Sequence, residues 1–478
     1  MKRRNRSIGA LLLLSGILTA CQLGPHDPVR EYPIEEYWET ELSFPATPCP
    51  PLAEWWKQFD DPCLDSLIDT LVCANYDLRI AIEKVTEARW RLCETGAALF
   101  PQISQSTRED HATPTAPFGG ASGGGVASPF KFSQTQKLSV FRAAWEIDLF
   151  GRLARSRDSA ALAARVSLWD ARGIQVSLIA DLVAIYTSYR GVNTILETLE
   201  EERALVQSKL SLTQQRVERG IDDRQQLDKV EIERASIDAE IAQLRAEISV
   251  RRYQLSQLIG AQPNCLRHLD AQRLPLFEIH DAIAVGIPST LTRRRPDIRR
   301  AECLYAKANA DLGVAIADRF PHLTLTGSWG YMFLKLGKLA WDGMTWSYAG
   351  ELLTDLFDGG RKKARIGEGE SLRRQSSLNY ERTVLNALTE AESALAGFQG
   401  AFQVEQEARR VYTLQKESEA LALQKQERGV LASLQTIDPR QKSLQAKRRL
   451  IEAQIDSRNR VVDLYRALGG GWSEPCGG

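Results

Sequence analysis

The sequence predicts a mainly α protein with a small β part: long helices paired into coiled-coil hairpins, present twice, with four strands per chain between them. Three observations carry that prediction. Residues 75–104 recur 220 positions later as residues 295–324; two proline-free helical stretches span 64 and 68 residues; and four segments alternate apolar and polar side chains.

The repeat keeps its register without a gap. One copy ends Phe100-Pro101-Gln102-Ile103-Ser104 and the other Phe320-Pro321-His322-Leu323-Thr324, and Asp77, Arg79, Ala81, Ala88, Leu92 and Ala97 align with Asp297, Arg299, Ala301, Ala308, Leu312 and Ala317. Two further echoes follow in the same order: Trp145-Glu146-Ile147-Asp148-Leu149-Phe150-Gly151-Arg152 with Thr354-Asp355-Leu356-Phe357-Asp358-Gly359-Gly360-Arg361, and Glu218-Arg219-Gly220-Ile221 with Glu427-Arg428-Gly429-Val430. Such offsets describe two units of about 210 residues, not a short solenoid repeat. The expected organisation is a leader at 1–20, an extended arm at 21–60, a first repeat at 61–265, a linker at 266–288, a second repeat at 289–469 and a tail at 470–478.

The leader carries Lys2, Arg3, Arg4 and Arg6, then an apolar run from Ile8 to Ala20, then Leu18-Thr19-Ala20-Cys21. A basic start, a short apolar core and small residues at a cleavage point make a secretion signal; its 13-residue run falls short of a membrane span. The cysteine after Leu-Thr-Ala resembles a bacterial lipobox, which implies a thioether-linked lipid on Cys21. Because Gln22 is not aspartate, resemblance to sorted lipoproteins favours the outer membrane. Pro25, Pro28, Pro33, Pro45, Pro48, Pro50 and Pro51 then mark the arm as irregular.

In the first repeat, Leu64, Leu67, Ile68, Leu71, Leu78, Ala81, Ile82 and Val85 recur at three and four, a helix from Leu64 to Leu99 that Pro101 ends. Phe141, Ala143, Trp145, Ile147 and Leu149 alternate with Arg142, Ala144, Glu146 and Asp148, a strand with one apolar face. Its partner, Gln102 to Thr107, has the weakest pattern. The second repeat offers Leu323, Leu325, Trp329 and Tyr331, then Trp346, Tyr348, Leu352 and Leu356. Loops are expected at His111–Ser133 and about Phe333–Gly343. Long helices follow at Ser156–Arg219 and Arg361–Arg428, each roughly 95–100 Å at 1.5 Å per residue. Leu385, Leu388, Ala391, Leu395, Phe398 and Phe402 form a coiled-coil seam on the second. Turns at Gly220 and Gly429 reverse the chain into shorter helices, Asp223–Gly260 and Leu434–Leu468. With the helices at 64–99 and 290–318, these shorter pieces stack end to end beside the long ones, making a wall rather than a globule.

Composition narrows the function. The 61 basic and 61 acidic side chains cancel, and removing the leader's four cations leaves a net charge of −4, so nothing favours nucleic acid. Acidic and basic residues interleave, as in Glu231-Ile232-Glu233-Arg234, the pattern of solvated helices. Seven cysteines besides Cys21 include no C-x-x-C pair; Cys49 with Cys63 is a candidate disulfide, and Cys73, Cys93 and Cys303 read as small buried residues. The five histidines lack metal-ligand spacing, and no catalytic motif appears, so neither a metal, a cofactor nor an enzyme is expected.

Four strands cannot close a membrane barrel, which needs about eight, and open edges are not tolerated in lipid. Several copies must share one barrel, with Phe141, Trp145, Ile147, Trp329, Tyr331, Trp346 and Tyr348 on its exterior. The Gly220-Ile221-Asp222 and Gly429-Val430-Leu431-Ala432 turns lie farthest along the helices from those strands. Apolar residues exposed at a turn often mark an interface, and each glycine also suits a helix cap.

Over nearly its full mature length the chain resembles outer-membrane efflux lipoproteins of the TolC and OprM (NodT) type. The motifs are Glu54-Trp55-Trp56-Lys57-Gln58-Phe59, Asp61-Pro62, Asn75-Tyr76-Asp77-Leu78-Arg79, Asp148-Leu149-Phe150-Gly151-Arg152, Gly286-Ile287-Pro288-Ser289, Arg294-Arg295-Pro296-Asp297-Ile298, Ala308-Asn309-Ala310-Asp311-Leu312-Gly313-Val314 and Leu464-Tyr465-Arg466-Ala467-Leu468-Gly469-Gly470-Gly471-Trp472. The resemblance implies a homotrimer with a shared 12-stranded barrel in outer-membrane lipid and a 12-helix periplasmic α-barrel. It also implies a passive exit duct for drugs and toxic small molecules, fed by a periplasmic adaptor (membrane fusion protein) and an inner-membrane pump of RND type. It maps a constricting gate onto Leu434 and Asp438 and adaptor docking onto the tips; where relatives continue Asp-Ala-Gln-Arg, this chain has Asp438-Pro439-Arg440-Gln441. A protein-exporting type I secretion duct uses the same architecture. A non-conducting lipid-anchored coiled-coil spacer would leave the duplicated strands unexplained.

Overall fold

The computed structural model describes residues 24, 25, 27, 28, 32–34, 38, 39, 52–112, 115, 116, 130, 131, 133–271, 276, 288–336, 338–430 and 432–472. Cys21, Cys49 and Leu431 lie outside them. Seven α-helices of more than one turn are described: α1 (Pro62–Ala74), α2 (Tyr76–Ala97), α3 (Arg152–Glu218), α4 (Arg224–Leu258), α5 (Pro296–Ala317), α6 (Arg361–Glu427) and α7 (Ser433–Ala467). The main strands are β1 (Gln102–Ala112), β2 (Gln134–Ile147), β3 (His322–Leu336) and β4 (Leu339–Leu353).

Two compact units are present, one containing residues 85–166 and 302–379 with the first arm residues, the other residues 31–84, 167–301 and 380 onward. The first unit holds the sheet. Its order is β1-β2-β3-β4, all antiparallel, so strands from the two repeats meet where Ile147 pairs with Leu323 and Phe141 with Trp329. Both β1 and β4 are edges.

Three sequence expectations change here. The loop expected at Phe333–Gly343 is mostly strand, because β3 and β4 stay paired up to Leu336 and Leu339. β1 runs past Thr107 to Ala112. Leu356 is not in β4, which stops at Leu353; it lies in a bend, 94% exposed.

In the second unit, the α3–α4 hairpin is a heptad coiled coil. Ile195, Leu199, Val206 and Leu210 of α3 pack on Val230, Ile237 and Ile241 of α4, with Ile451 of α7 against them. Each such side chain stabilises by about 1.5–3 kcal/mol on burial. On α6 the seam agrees with expectation from Ala391 through Leu395 and Phe398, but before it Val384 and Ala387 are buried while Leu385 is half exposed. The stagger follows from helix pitch: positions 384, 387 and 391 keep one stripe, whereas 385 and 388 turn away from it.

The helices expected at 64–99 and 290–318 are each broken, and at equivalent points. Asn75 has extended backbone; its Oδ1 accepts from the Leu78 N–H (3.0 Å), starting α2, and its Nδ2 donates to the Leu258 carbonyl (2.7 Å) at the end of α4. In the second repeat the residue before Pro296 is held extended by proline sterics, so one turn at Leu291–Arg294 precedes α5. That residue, Arg295, donates through Nη1 to the Ala467 carbonyl (2.7 Å) at the end of α7 and through Nη2 to Asp297 and Glu390 (2.7 Å each). Aligned positions 75 and 295 thus bind the last carbonyl of the short helix of their own repeat. The helices do meet end to end.

The cysteine expectations fare less well. Cys73 and Cys93 are exposed and Cys303 half-buried, because small thiols occupy outer helix positions rather than the seams. Cys63 is a free thiol, and its candidate partner Cys49 is outside the described residues.

Replacing Arg295 by Met should lower stability by about 2 kcal/mol, and Asn75→Ala by about 1 kcal/mol, since each leaves a helix-end carbonyl unbonded. Chemical denaturation of the purified protein would measure both; unaltered midpoints would deny these junctions an energetic role.

Candidate channel wall, tips and gate

The sheet register assembles the aromatic wall. Phe141, Trp329 and Trp346 are direct cross-strand neighbours, and the Phe141 and Trp329 rings stack at 6.2 Å. Tyr331 and Tyr348 share that face by period two, and the Tyr331 hydroxyl donates to Asp342. Trp346 and Tyr348 are 70% and 82% exposed in the single chain, far beyond what a soluble sheet leaves on one face. Trp145, two steps on along the same face of β2, is half-buried and donates from Nε1 to the Leu99 carbonyl (3.0 Å). The opposite face is polar, with Ser328 and Ser347 hydrogen-bonded at 2.8 Å.

A charged cluster at the ends of these strands escaped the sequence analysis. Arg152 at the start of α3 donates to both oxygens of Glu146 (2.8 Å each). His322 lies 3.3 Å from Glu146 and 3.6 Å from Asp318, and Arg365 of α6 approaches Asp318 at 3.4 Å. The echoed Gly151-Arg152 and Pro321-His322 were the available signal.

Both tips are built alike. The N–H of Gly220 donates to Val217 and that of Ile221 to Arg216; Gly429 donates to Gln426 and Val430 to Lys425, all at 2.9 Å. These paired bonds close a helix end only if the glycine position is left-handed, and Gly220 and Gly429 have φ of +69° and +71°. The turn pushes Ile221 and Val430 outward, 58% and 73% exposed. The tips differ in charge: Asp222 is clasped by Arg216 Nε (2.7 Å) and Nη2 (3.1 Å), and the second tip has no counterpart among its described residues.

Leu434 and Asp438 sit in the first turns of α7, which begins at Ser433 and runs straight through Pro439. Asp438 therefore does not cap the helix; Ala432 is the capping position. Leu434 is half-buried, and the Asp438 carboxylate is 68% exposed, 3.7 Å from Lys209 of α3. Lys209 also reaches Glu233 of α4 (3.2 Å), while Gln441 donates to Glu202 (3.2 Å) and Glu233, and Gln445 to Glu202 (3.2 Å). This polar zipper between α7 and the α3–α4 hairpin has no local sequence signature, its members lying over 200 residues apart.

Among the described residues no helix is long and apolar enough to cross a membrane. Duplicated helical hairpins with an aromatic-faced four-stranded sheet define the class of outer-membrane channel proteins. The family whose sequence model matches, described as outer membrane efflux protein, covers residues 67–261 and again 287–470. The chain belongs to that family. It is 28% identical over 490 residues to a Pseudomonas putida toluene efflux pump outer membrane protein, covering 99% of this chain and 97% of the relative. It is 28% identical to outer membrane protein OprJ of Pseudomonas aeruginosa, covering 97% and 95%. The solved outer-membrane channel OprN superposes with a TM-score of 0.81 at 28% identity, over 95% of this chain and all of that one. The open-state channel MtrE of Neisseria gonorrhoeae gives 0.77 at 25%, over 95% and 99%. This protein is an outer-membrane efflux channel of TolC-like fold, and its place is the cell outer membrane.

The Arg216 guanidinium, by donating to Asp222, holds that carboxyl below the usual aspartate range. A depressed carboxylate stabilises above its unfolded value and loses that contribution as pH falls through the folded one. The clasp should therefore persist at pH 5 and open only in stronger acid. Carboxylate infrared difference spectra of wild type against Asp222→Asn should place the titration below about 3.9, the free aspartate value; a midpoint at or above it would contradict the clasp.

Proposed function

We propose that three copies of this chain close one 12-stranded barrel and conduct small molecules passively from a periplasmic adaptor and inner-membrane pump to the exterior. The observation that carries this reading is the sheet with two free edges and an exposed aromatic face. In hydrocarbon, every unpaired N–H and C=O at β1 and β4 would be left without water, and pairing β4 of one copy with β1 of the next removes both edges. Three is the number at which four strands per chain give the shared barrel that the family resemblance implies.

Supporting the cargo class are relatives named for toluene, solvent and antibiotic efflux, apolar organic compounds foremost. The pump would be of RND type. Adaptor docking falls on Gly220, Ile221, Asp222, Gly429, Val430 and Leu431; the helix-closing turns force Ile221 and Val430 into solvent at the ends of both hairpins. Gating falls on Leu434 and Asp438, just beyond the second tip, where three exposed carboxylates around an axis would favour cations. Cys21 would carry the covalent lipid that anchors the mature amino terminus.

The purified mature protein should run as a trimer in detergent, and its planar-bilayer conductance should rise several-fold when Asp438 is replaced by Ala. A strictly monomeric particle would end the shared-barrel reading. Unchanged conductance would remove Asp438 from the gate while leaving the barrel intact.

A further inference from the structure

The strand register sorts the face opposite the aromatic wall into rows, and one row carries a charge with no role so far. Arg142 of β2 pairs with Ser104 of β1 and Ser328 of β3, and Ser328 pairs in turn with Ser347 of β4. The Ser328 and Ser347 hydroxyls bond each other at 2.8 Å, which puts the row on one face. Arg142 is exposed, and among the described residues nothing accepts from its guanidinium. Toward the start of β2 the following rows turn apolar: Val140, then Leu138 beside Met332, then Leu334 beside Trp341.

The other charges on this face are placed differently. Arg108 donates to Asp110 (2.9 Å), and Glu146 is bound by Arg152 with His322 beside it at 3.3 Å. Glu351 of β4, which has no ion pair among the described residues, stands two rows and two strands from Arg142. At the usual strand spacings that is roughly 17 Å, about two Debye lengths in physiological salt, so Glu351 does not neutralise the arginine. A guanidinium with its donors open, set among serine hydroxyls, has the geometry that binds a carboxylate through two parallel hydrogen bonds.

We infer that Arg142 and its copies in the assembled barrel form a station for the anionic group of amphipathic cargo, whose apolar part lies along Leu138, Met332 and Trp341. This rests on the shared-barrel reading, which turns the face opposite the aromatic wall toward the water-filled interior. Twelve strands about 4.8 Å apart and tilted by about 40° enclose a cylinder of about 12 Å radius. A long side chain reaching in from that wall brings its charge within one Debye length, about 8 Å, of the axis, so an ion anywhere in the cross-section feels it. The station therefore selects organic carboxylates among the small molecules that the channel conducts.

Planar-bilayer recordings on the full-length protein test the station, with every variant carrying Asp438→Ala so that the gate carboxylate cannot set the sign. In a KCl gradient, Arg142→Ser should lower the chloride-to-potassium permeability ratio about threefold, the order expected when three screened charges are removed, while Arg142→Lys should keep it. Benzoate should block the current at several-fold lower concentration than benzylammonium, and Arg142→Ser should abolish that difference. Trp341→Ser should weaken the benzoate block and leave the chloride ratio unaltered, because it removes apolar surface and no charge. Arg142→Gln, closer to arginine in length, should repeat the loss seen with serine. An unaltered ratio in both Arg142→Ser and Arg142→Gln, or equal block by the two probes in the parent, would overturn the station and leave the barrel intact. A parent protein that opens no channel would remove the barrel, and the station with it.

Discussion

Backbone groups at a sheet edge have no partner in hydrocarbon, and that constraint organises the molecule. A four-stranded antiparallel sheet is a stable local unit, yet its β1 and β4 rims carry unpaired N–H and C=O groups along 11 and 15 residues. In water such rims are tolerated and invite aggregation; in lipid each orphan group costs several kcal/mol. The single chain also presents its Trp346 and Tyr348 rings to whatever surrounds it. Both liabilities vanish together in a closed cylinder embedded in a membrane, so edge and face make the same demand.

The helical part answers a different problem, the ends of helices. Each short helix leaves four carbonyls unbonded at its C-terminus. At the ends of α4 and α7 the chain satisfies them in two ways: the turns at Gly260 and Gly469 take three, and a side chain from the start of another short helix takes the last. Asn75 and Arg295 perform that second task at aligned positions with different chemistry. Asparagine needs only its amide, while the arginine also gathers Asp297 and Glu390. Duplication kept the geometry and let the side chain change.

Features that depend on local periodicity were legible in the sequence. The proline-free stretches ending at Gly220 and Gly429 gave the long helices within four residues at either end, and period-two alternation put Phe141, Trp329, Tyr331, Trp346 and Tyr348 on one face. What escaped depended on partners distant in the chain. No pattern near Asn75 announces that its amide will meet Leu258, so the break in the first helix was invisible, although Pro296 marked the equivalent break. The Leu385 and Leu388 misplacement has a related cause. On a helix with apolar side chains at 384, 385, 387, 388 and 391, sequence alone does not decide which stripe faces the partner. The zipper of Lys209, Glu233, Gln441 and Glu202 is composed of residues that read individually as solvated helix surface. Trp145 keeps its place in the alternation, but nothing near it announces that its indole will meet the Leu99 carbonyl.

The way α7 is held differs along its length, and the difference bears on where the structure can yield. Its last two turns bury Val461, Val462, Leu464 and Tyr465, with the Tyr465 ring stacked on Trp55 at 4.9 Å. Nearer the start, the Arg458 and Glu405 side chains, 2% and 3% exposed, pair at 2.5 Å, with Arg409 also on Glu405 at 2.9 Å, and sliding α7 would pull apart a buried ion pair at high cost. The first two turns bury one large apolar side chain, Ile437, and otherwise rely on Lys209, Gln441 and Thr436. Contacts of that kind, half-exposed and screened by salt, are worth little each and can be exchanged for water. An apolar seam separates only by exposing surface, whereas a polar zipper opens with solvent replacing each bond it gives up. The start of α7, which carries Leu434 and Asp438, is therefore the part of the hairpin that can move at least cost, while the buried ion pair fixes the register behind it.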